Sequence, residues 1–133
     1  MICLGLLYLS FLALQSVVQA GEEEKLEECL LNTVTEYRVI SEETWNKELK
    51  EVTDNWITKD NKVERCRGVN EFNDSYGYCS SSTSLEEACD GIFKKVTDKR
   101  VLQSPSHLSG KGACSARLFG DRYVAYCRFT KPQ

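Results

Sequence analysis

The chain has 133 residues, 28% of them charged, with one histidine and a formal net charge of −3 at neutral pH. A net acidic balance disfavours a nucleic-acid binder and a cationic membrane-lytic peptide. A single histidine, with no Cys-x2-Cys pair, disfavours a zinc site.

Residues 1–20, MICLGLLYLSFLALQSVVQA, carry no charged side chain and close on Val18-Gln19-Ala20. That pattern predicts a secretory signal cleaved after Ala20. The lack of flanking Lys or Arg speaks against a retained membrane anchor. No other run approaches the roughly 18 apolar residues of a span, so no stable membrane insertion is expected. Residues 21–133 are expected to form a single cysteine-rich extracellular domain. Cleavage removes Cys3 and leaves Cys29, Cys66, Cys79, Cys89, Cys114 and Cys127. An even set in a secreted chain implies a disulfide framework.

Charge is divided along the chain. Residues 21–64 hold 13 acidic and 6 basic side chains, and residues 65–133 hold 7 acidic and 11 basic. The simpler account is attraction between the halves within the fold, with most charges solvated. The sharper one is an anionic partner, such as a sulfated glycan, facing the basic half.

In EEEKLEECLLNTVTEY, Leu26, Cys29, Leu30, Thr33, Val34 and Tyr37 recur at helical spacing. The leading glutamates suit the positive end of the helix dipole. Ser41 then reads as an N-cap for a helix over about 42–57, with Trp45, Leu49, Val52 and Trp56 as its core stripe. TKDNK breaks the pattern, and Ser80–Ser84 reads as a polar loop. Ser84 and Glu87 have the form of a capping box. They open a third helix over about 85–97, whose face is Leu85, Ala88, Cys89, Ile92 and Val96, with Gly91 as a mild internal cost.

A repeat follows. FNDSYGYC (72–79) and FGDRYVAYC (119–127) share Phe-x-Asp-x-Tyr, and each closes a Cys-x12-Cys interval. Taking Gly120-Asp121 as a two-residue hairpin turn pairs Phe119 with Arg122 and, five steps out, Cys114 with Cys127. Pairs alternate outward from the turn, so the cysteines fall on a close, non-hydrogen-bonded pair, which suits a disulfide. One face collects Cys114, Ala116, Leu118, Tyr123, Ala125, Cys127 and Phe129, while Ser115, Arg117 and Arg128 point away. The competing reading is helical, since Ala116, Phe119, Tyr123, Tyr126 and Cys127 also share a helical face. Gly120 sits badly in a helix and RYVAYCRFT is rich in strand formers, which favours the hairpin over residues 113–129. For the first copy both geometries stay open, because a turn at Asn73-Asp74 does not bring Cys66 opposite Cys79. Phe and Tyr four apart are expected to share a face, as packing beside a turn. The preferred remaining pairs are Cys66–Cys79 and Cys29–Cys89.

Asn73-Asp74-Ser75 is a candidate N-glycosylation sequon. His107, the only histidine, lies in the connector SPSHLSG without a nucleophile-elbow serine. Neither a phosphate-binding glycine loop nor a calcium loop is present, and no cofactor is implied. The expected fold is a helix-rich, disulfide-stapled α+β domain with a C-terminal β-hairpin, all-α being the alternative. The expected function is non-catalytic: a secreted binding or effector protein whose surface meets an extracellular protein or anionic glycan. Arg117, Arg122, Arg128 and Lys131 are the candidate partner contacts. The alternative is a secreted protease inhibitor or small hydrolase, with Ser80–Ser84 or Gln103–Gly112 as the exposed loop.

Overall fold

The computed structural model describes residues 2–36, 47–58, 66, 69–96 and 111–131, the side chains of 2–16 excepted. Its elements are α1 (Ile2–Glu36), α2 (Lys47–Trp56), β1 (Val69–Glu71), β2 (Ser75–Ser82), α3 (Leu85–Val96), β3 (Gly112–Phe119) and β4 (Arg122–Thr130). The strands make one antiparallel sheet in the order β1-β2-β4-β3. This is a small α+β domain with three disulfides. The all-α alternative fails against the sheet. Ser41, Trp45 and His107 lie outside the described residues.

Each Phe-x-Asp-x-Tyr copy is a hairpin turn. Phe119 pairs with Arg122 across Gly120-Asp121, with every pair out to Cys114–Cys127 in the expected register. Gly120 has φ 61°, the left-handed backbone such turns require and glycine adopts without steric penalty. In the first copy, the Phe72 amide donates to the Ser75 carbonyl at 2.8 Å across Asn73-Asp74. The copies are therefore equivalent turns, 47 positions apart. In the β2–β4 pairing, Tyr76 meets Phe129 as Tyr123 meets Ser82.

The shared face expected for Phe and Tyr does not form. Phe72 stands across the turn from Ser75, so Tyr76 is one step further and points through the other side of the sheet. Tyr76 and Tyr123 pack with the larger core, and Phe119 with the smaller one.

Those two cores lie on opposite faces of the sheet. On one, α1 brings Leu26, Leu30 and Val34, and α3 brings Ala88, Ile92 and Val96, against Tyr78, Ala116, Ala125 and Phe129. Burial of each such Leu, Ile or Val side chain stabilises the fold by about 1.5–3 kcal/mol. On the other, Trp56 and Ile57 at the end of α2 pack on Val124 and Tyr126. The Trp56 and Tyr126 rings stack at 3.9 Å and 10°.

The half-buried ribbon expected for β3 and β4 is thus covered on both sides, and Ser115 is buried. The stripe expected on α2 holds at Trp56, which packs on the sheet, but fails at Val52. Val52 is 38% exposed, whereas Thr53 and Ile57 are buried. Thr53 turns inward, where its one hydroxyl proton lies between two acceptors, Ser115 Oγ at 2.7 Å and the Lys50 carbonyl at 3.0 Å.

Ser80–Ser82 belong to β2 and do not form a loop. Ser84 caps α3 by accepting from the Glu87 amide at 3.3 Å. The Glu87 carboxylate binds Ser82 Oγ instead of closing the box. Gly91 is less a cost than a requirement, since a Cβ there would lie 2.0 Å from Ser80 Oγ.

The disulfides are Cys29–Cys89, Cys66–Cys79 and Cys114–Cys127. Cys114 and Cys127 are directly paired, with Cα atoms 4.0 Å apart. Cys66 precedes β1 and is free of its register, so it reaches Cys79 although the ladder would oppose it to Ser81. Cys79 is seven residues past Phe72, and Cys127 eight past Phe119. Strand side chains alternate, so Cys79 faces α2 and Cys127 faces α1 and α3.

Removing Cys29–Cys89, which spans 60 positions, should lower stability by about 4 kcal/mol on a loop-entropy basis. Either bond spanning 13 positions should cost about 3 kcal/mol. Urea unfolding of the paired Cys→Ala variants checks the order, and an equal or reversed order would contradict it. Gly77→Ala should cost about 1–3 kcal/mol by overpacking, because its Cβ would lie 2.5 Å from Tyr126 Oη and 3.2 Å from the Phe72 ring. An unchanged urea midpoint would show that the Tyr126 ring yields.

Candidate functional site

Polar side chains converge where α1 and α2 meet over the outer edge of β3. Leu118 sits at a non-hydrogen-bonded pair with Tyr123, so its backbone groups point away from β4. Helix α1 meets both. The Leu118 amide donates to Glu23 Oε1 at 3.1 Å, and Gln19 Nε2 donates to the Leu118 carbonyl at 2.7 Å. The other Glu23 oxygen takes Arg117 Nη1 at 3.3 Å. One carboxylate thereby closes a sheet edge that would otherwise offer itself to another strand.

Lys50 of α2 is the second hub. Its ammonium contacts Glu27 of α1, Asp54 at 2.8 Å and Ser115 Oγ at 3.2 Å. Ser115 Oγ also donates to Asp54. Glu23, Glu27, Lys50, Asp54 and Arg117 border a surface cleft of about 330 Å³. Burial pushes the Asp54 carboxyl up, but the hydrogen bonds from Lys50 and Ser115 and the charges of Lys50 and Arg117 outweigh it and hold the carboxyl below its ordinary value. Nearby, Tyr123 Oη donates to Glu22 at 2.8 Å. That bond lowers the Glu22 carboxyl, helped by Lys25, and raises the Tyr123 phenol.

A serine beside a lysine and an aspartate has the ingredients of a nucleophile and base. Here each of the three already has partners within the protein. Lys50 Nζ meets Glu27, Asp54 and Ser115. Ser115 is buried, with its hydroxyl committed to Asp54 and Thr53.

The four candidate contact residues do not form one patch. Arg117, Arg122 and Arg128 share the α2 face by strand alternation. Arg128 is six residues along β4 from Arg122, roughly 20 Å at the strand rise. Arg117 pairs with Glu23. Arg128 lies over the Phe72 ring at 3.9 Å, donates to Ser75 Oγ at 2.7 Å and faces Asp74 at 3.9 Å. Lys131 pairs with Glu71 at 2.9 Å and stands over Tyr76. Arg122 is exposed beside the β3–β4 turn, where it donates to Ser81 Oγ at 3.2 Å. Asn73 is exposed at the β1–β2 turn.

Of the hubs, only the Lys50–Asp54 spacing of four was visible as a helical ion pair. Glu23, Glu27 and Ser115 join through tertiary contacts. Among the described residues, no group of three or more His, Cys, Asp or Glu side chains could hold a metal ion. Tyr78 and Tyr126 have buried hydroxyls without a hydrogen-bond partner among the described residues, and burial raises both phenols. No protein-family model, curated protein or solved structure matches the chain.

The lowered carboxyls of Asp54 and Glu22 set the sign of an acid response. Each stabilises the fold above its unfolded value, and the gain disappears as pH falls through the folded value, between roughly pH 5 and pH 1. Asp54→Asn should therefore flatten the acid limb of a stability–pH curve measured by urea midpoints. An acid limb identical to that of the unsubstituted protein would remove Asp54 from this role.

Proposed function

We propose that residues 21–133, freed by cleavage after Ala20, act outside the cell by stoichiometric binding to an anionic surface, on a protein or a sulfated glycan. The apolar leader and six cysteines joined in three disulfides support an oxidising, extracytoplasmic setting. The observation that carries the binding reading is the contrast between the cleft and the hairpin tip. In the cleft, Lys50, Glu27, Asp54, Glu23 and Arg117 are spent on one another and on the buried Ser115. At the tip, Arg122 is exposed with a serine hydroxyl as its described partner. A disulfide-braced sheet presents such a group with little ordering cost on binding.

Contact accordingly centres on Arg122; Arg117 lies on the same face but is paired with Glu23 and adds only a nearby charge. Arg128 and Lys131 serve at most as distant charges, each facing its own carboxylate. The exposed-loop form of the inhibitor reading loses Ser80–Ser82, whose backbone is committed to β2.

Binding to immobilised sulfated glycans and to captured extracellular proteins tests the proposal. Association should slow as salt rises. Arg122→Glu together with Arg117→Glu should reduce the rate by roughly tenfold and leave the circular dichroism spectrum unchanged, with a smaller effect from Arg128→Glu. Salt-independent association would remove the electrostatic contact. Turnover proportional to the concentration of purified protein, and surviving His107→Ala, would show that the protein is an enzyme.

A further inference from the structure

We infer that Asn73 is an N-linked glycosylation site, modified while the chain is still unfolded. Asn73-Asp74-Ser75 has the acceptor pattern. The structure adds where the pattern lies. Asn73 occupies the two-residue turn between β1 and β2 and is exposed. Among the described residues its side chain takes no hydrogen bond, so a bulky, hydrophilic substituent there displaces nothing.

The sequon serine is in the opposite condition. Ser75 is fully buried, donates to Asp74 Oδ1 at 3.0 Å and accepts from Arg128 Nε at 2.7 Å. A transferase that must engage that hydroxyl finds it only before the first hairpin joins β4. The Cys66–Cys79 bond encloses the same segment, and its closure ends the same window. The site therefore suits a chain modified during translocation and then folded around its glycan.

The chemistry is a group transfer. Asn73 Nδ2 attacks the anomeric carbon of an oligosaccharide carried on a lipid pyrophosphate. The new N–C bond forms as the C–O bond to the pyrophosphate breaks. The lipid pyrophosphate leaves with the electron pair, and an amide proton passes to a base of the transferase.

Strand β2 separates this turn from the end bearing Arg122, since Ser82 lies beside Tyr123. Its eight residues span roughly 23 Å. A glycan at Asn73 therefore leaves the proposed contact surface uncovered.

The inference rests on entry into the secretory pathway, which the test separates from it. The full chain and its Asn73→Gln variant are expressed in eukaryotic cells, and medium and cell fractions are mapped by mass spectrometry before and after peptide-N-glycosidase F. The unsubstituted chain should carry a glycan whose removal leaves aspartate at position 73. Asn73→Gln should abolish it completely, and direct mapping of the unsubstituted chain stands even if the variant fails to accumulate. Glycosylated protein retained in cells would count against the extracellular reading alone. Unmodified Asn73 in secreted protein, or in intracellular protein from which residues 1–20 have been removed, would overturn the inference.

Discussion

A difference of one residue between two turns and their cysteines constrains the whole molecule. Both hairpins begin alike, with Phe, a two-residue turn ending in Asp, and Tyr two positions beyond that Asp. The cysteine follows Phe by seven residues in one and by eight in the other. Because alternate residues of a strand point to opposite faces, the two cystines lie on opposite sides of the sheet. Each sits among apolar neighbours, Val124 and Tyr126 on one side and Ala125 and Phe129 on the other. Neither face can be left to water without loss, and a single helical layer is not enough. The layers follow from this: α1 and α3, joined by Cys29–Cys89, cover one face, and α2 covers the other.

The edge of the sheet poses a separate problem, and α1 meets it with polar atoms. Glu23 and Gln19 satisfy the outward amide and carbonyl of Leu118. Gln19 belongs to the expected leader, so processing would leave Glu23 to hold that edge. The Lys50 network then links α1 to α2 around the same strand. Exposed ion pairs of this kind contribute about 0–1 kcal/mol each, far less than the buried aliphatics. Their larger effect is on orientation: they hold two helices on opposite faces of one edge strand.

The two ends of the sheet differ in what they expose. One carries the Gly120-Asp121 turn and Arg122, and the other the Asn73-Asp74 turn with Arg128 and Lys131 each beside an acid. The proposed contact at the first end and the inferred glycan at the second would occupy separate ground, braced by the disulfides. The divided charge of the chain has a modest structural counterpart. Arg117–Glu23 joins its basic and acidic halves, while Lys50–Glu27, Arg128–Asp74 and Lys131–Glu71 each stay within one half.

By itself the sequence favoured a hairpin over a helix for the second copy and, once the turn is taken, set its register residue by residue. Turn, alternation and cysteine spacing are all local there, and each required the same register. It also determined the inward faces of α1 and α3, where Leu26, Leu30 and Val34, and Ala88, Ile92 and Val96, recur at the helical period. The first hairpin was undecided because its cysteine pair does not obey its turn, and only the structure shows Cys66 leaving the ladder before it bonds. The inward face of α2 was misread for a related reason. Hydropathy favours Val52 over Thr53, but a hydroxyl can be buried when another hydroxyl meets it, and Ser115 comes from a strand 62 residues away. The gathering of Glu23, Glu27, Lys50, Asp54, Ser115 and Arg117 likewise belongs to the tertiary structure. Their contacts depend on which face each helix takes, and that choice is made by packing between distant segments, which a local pattern does not encode.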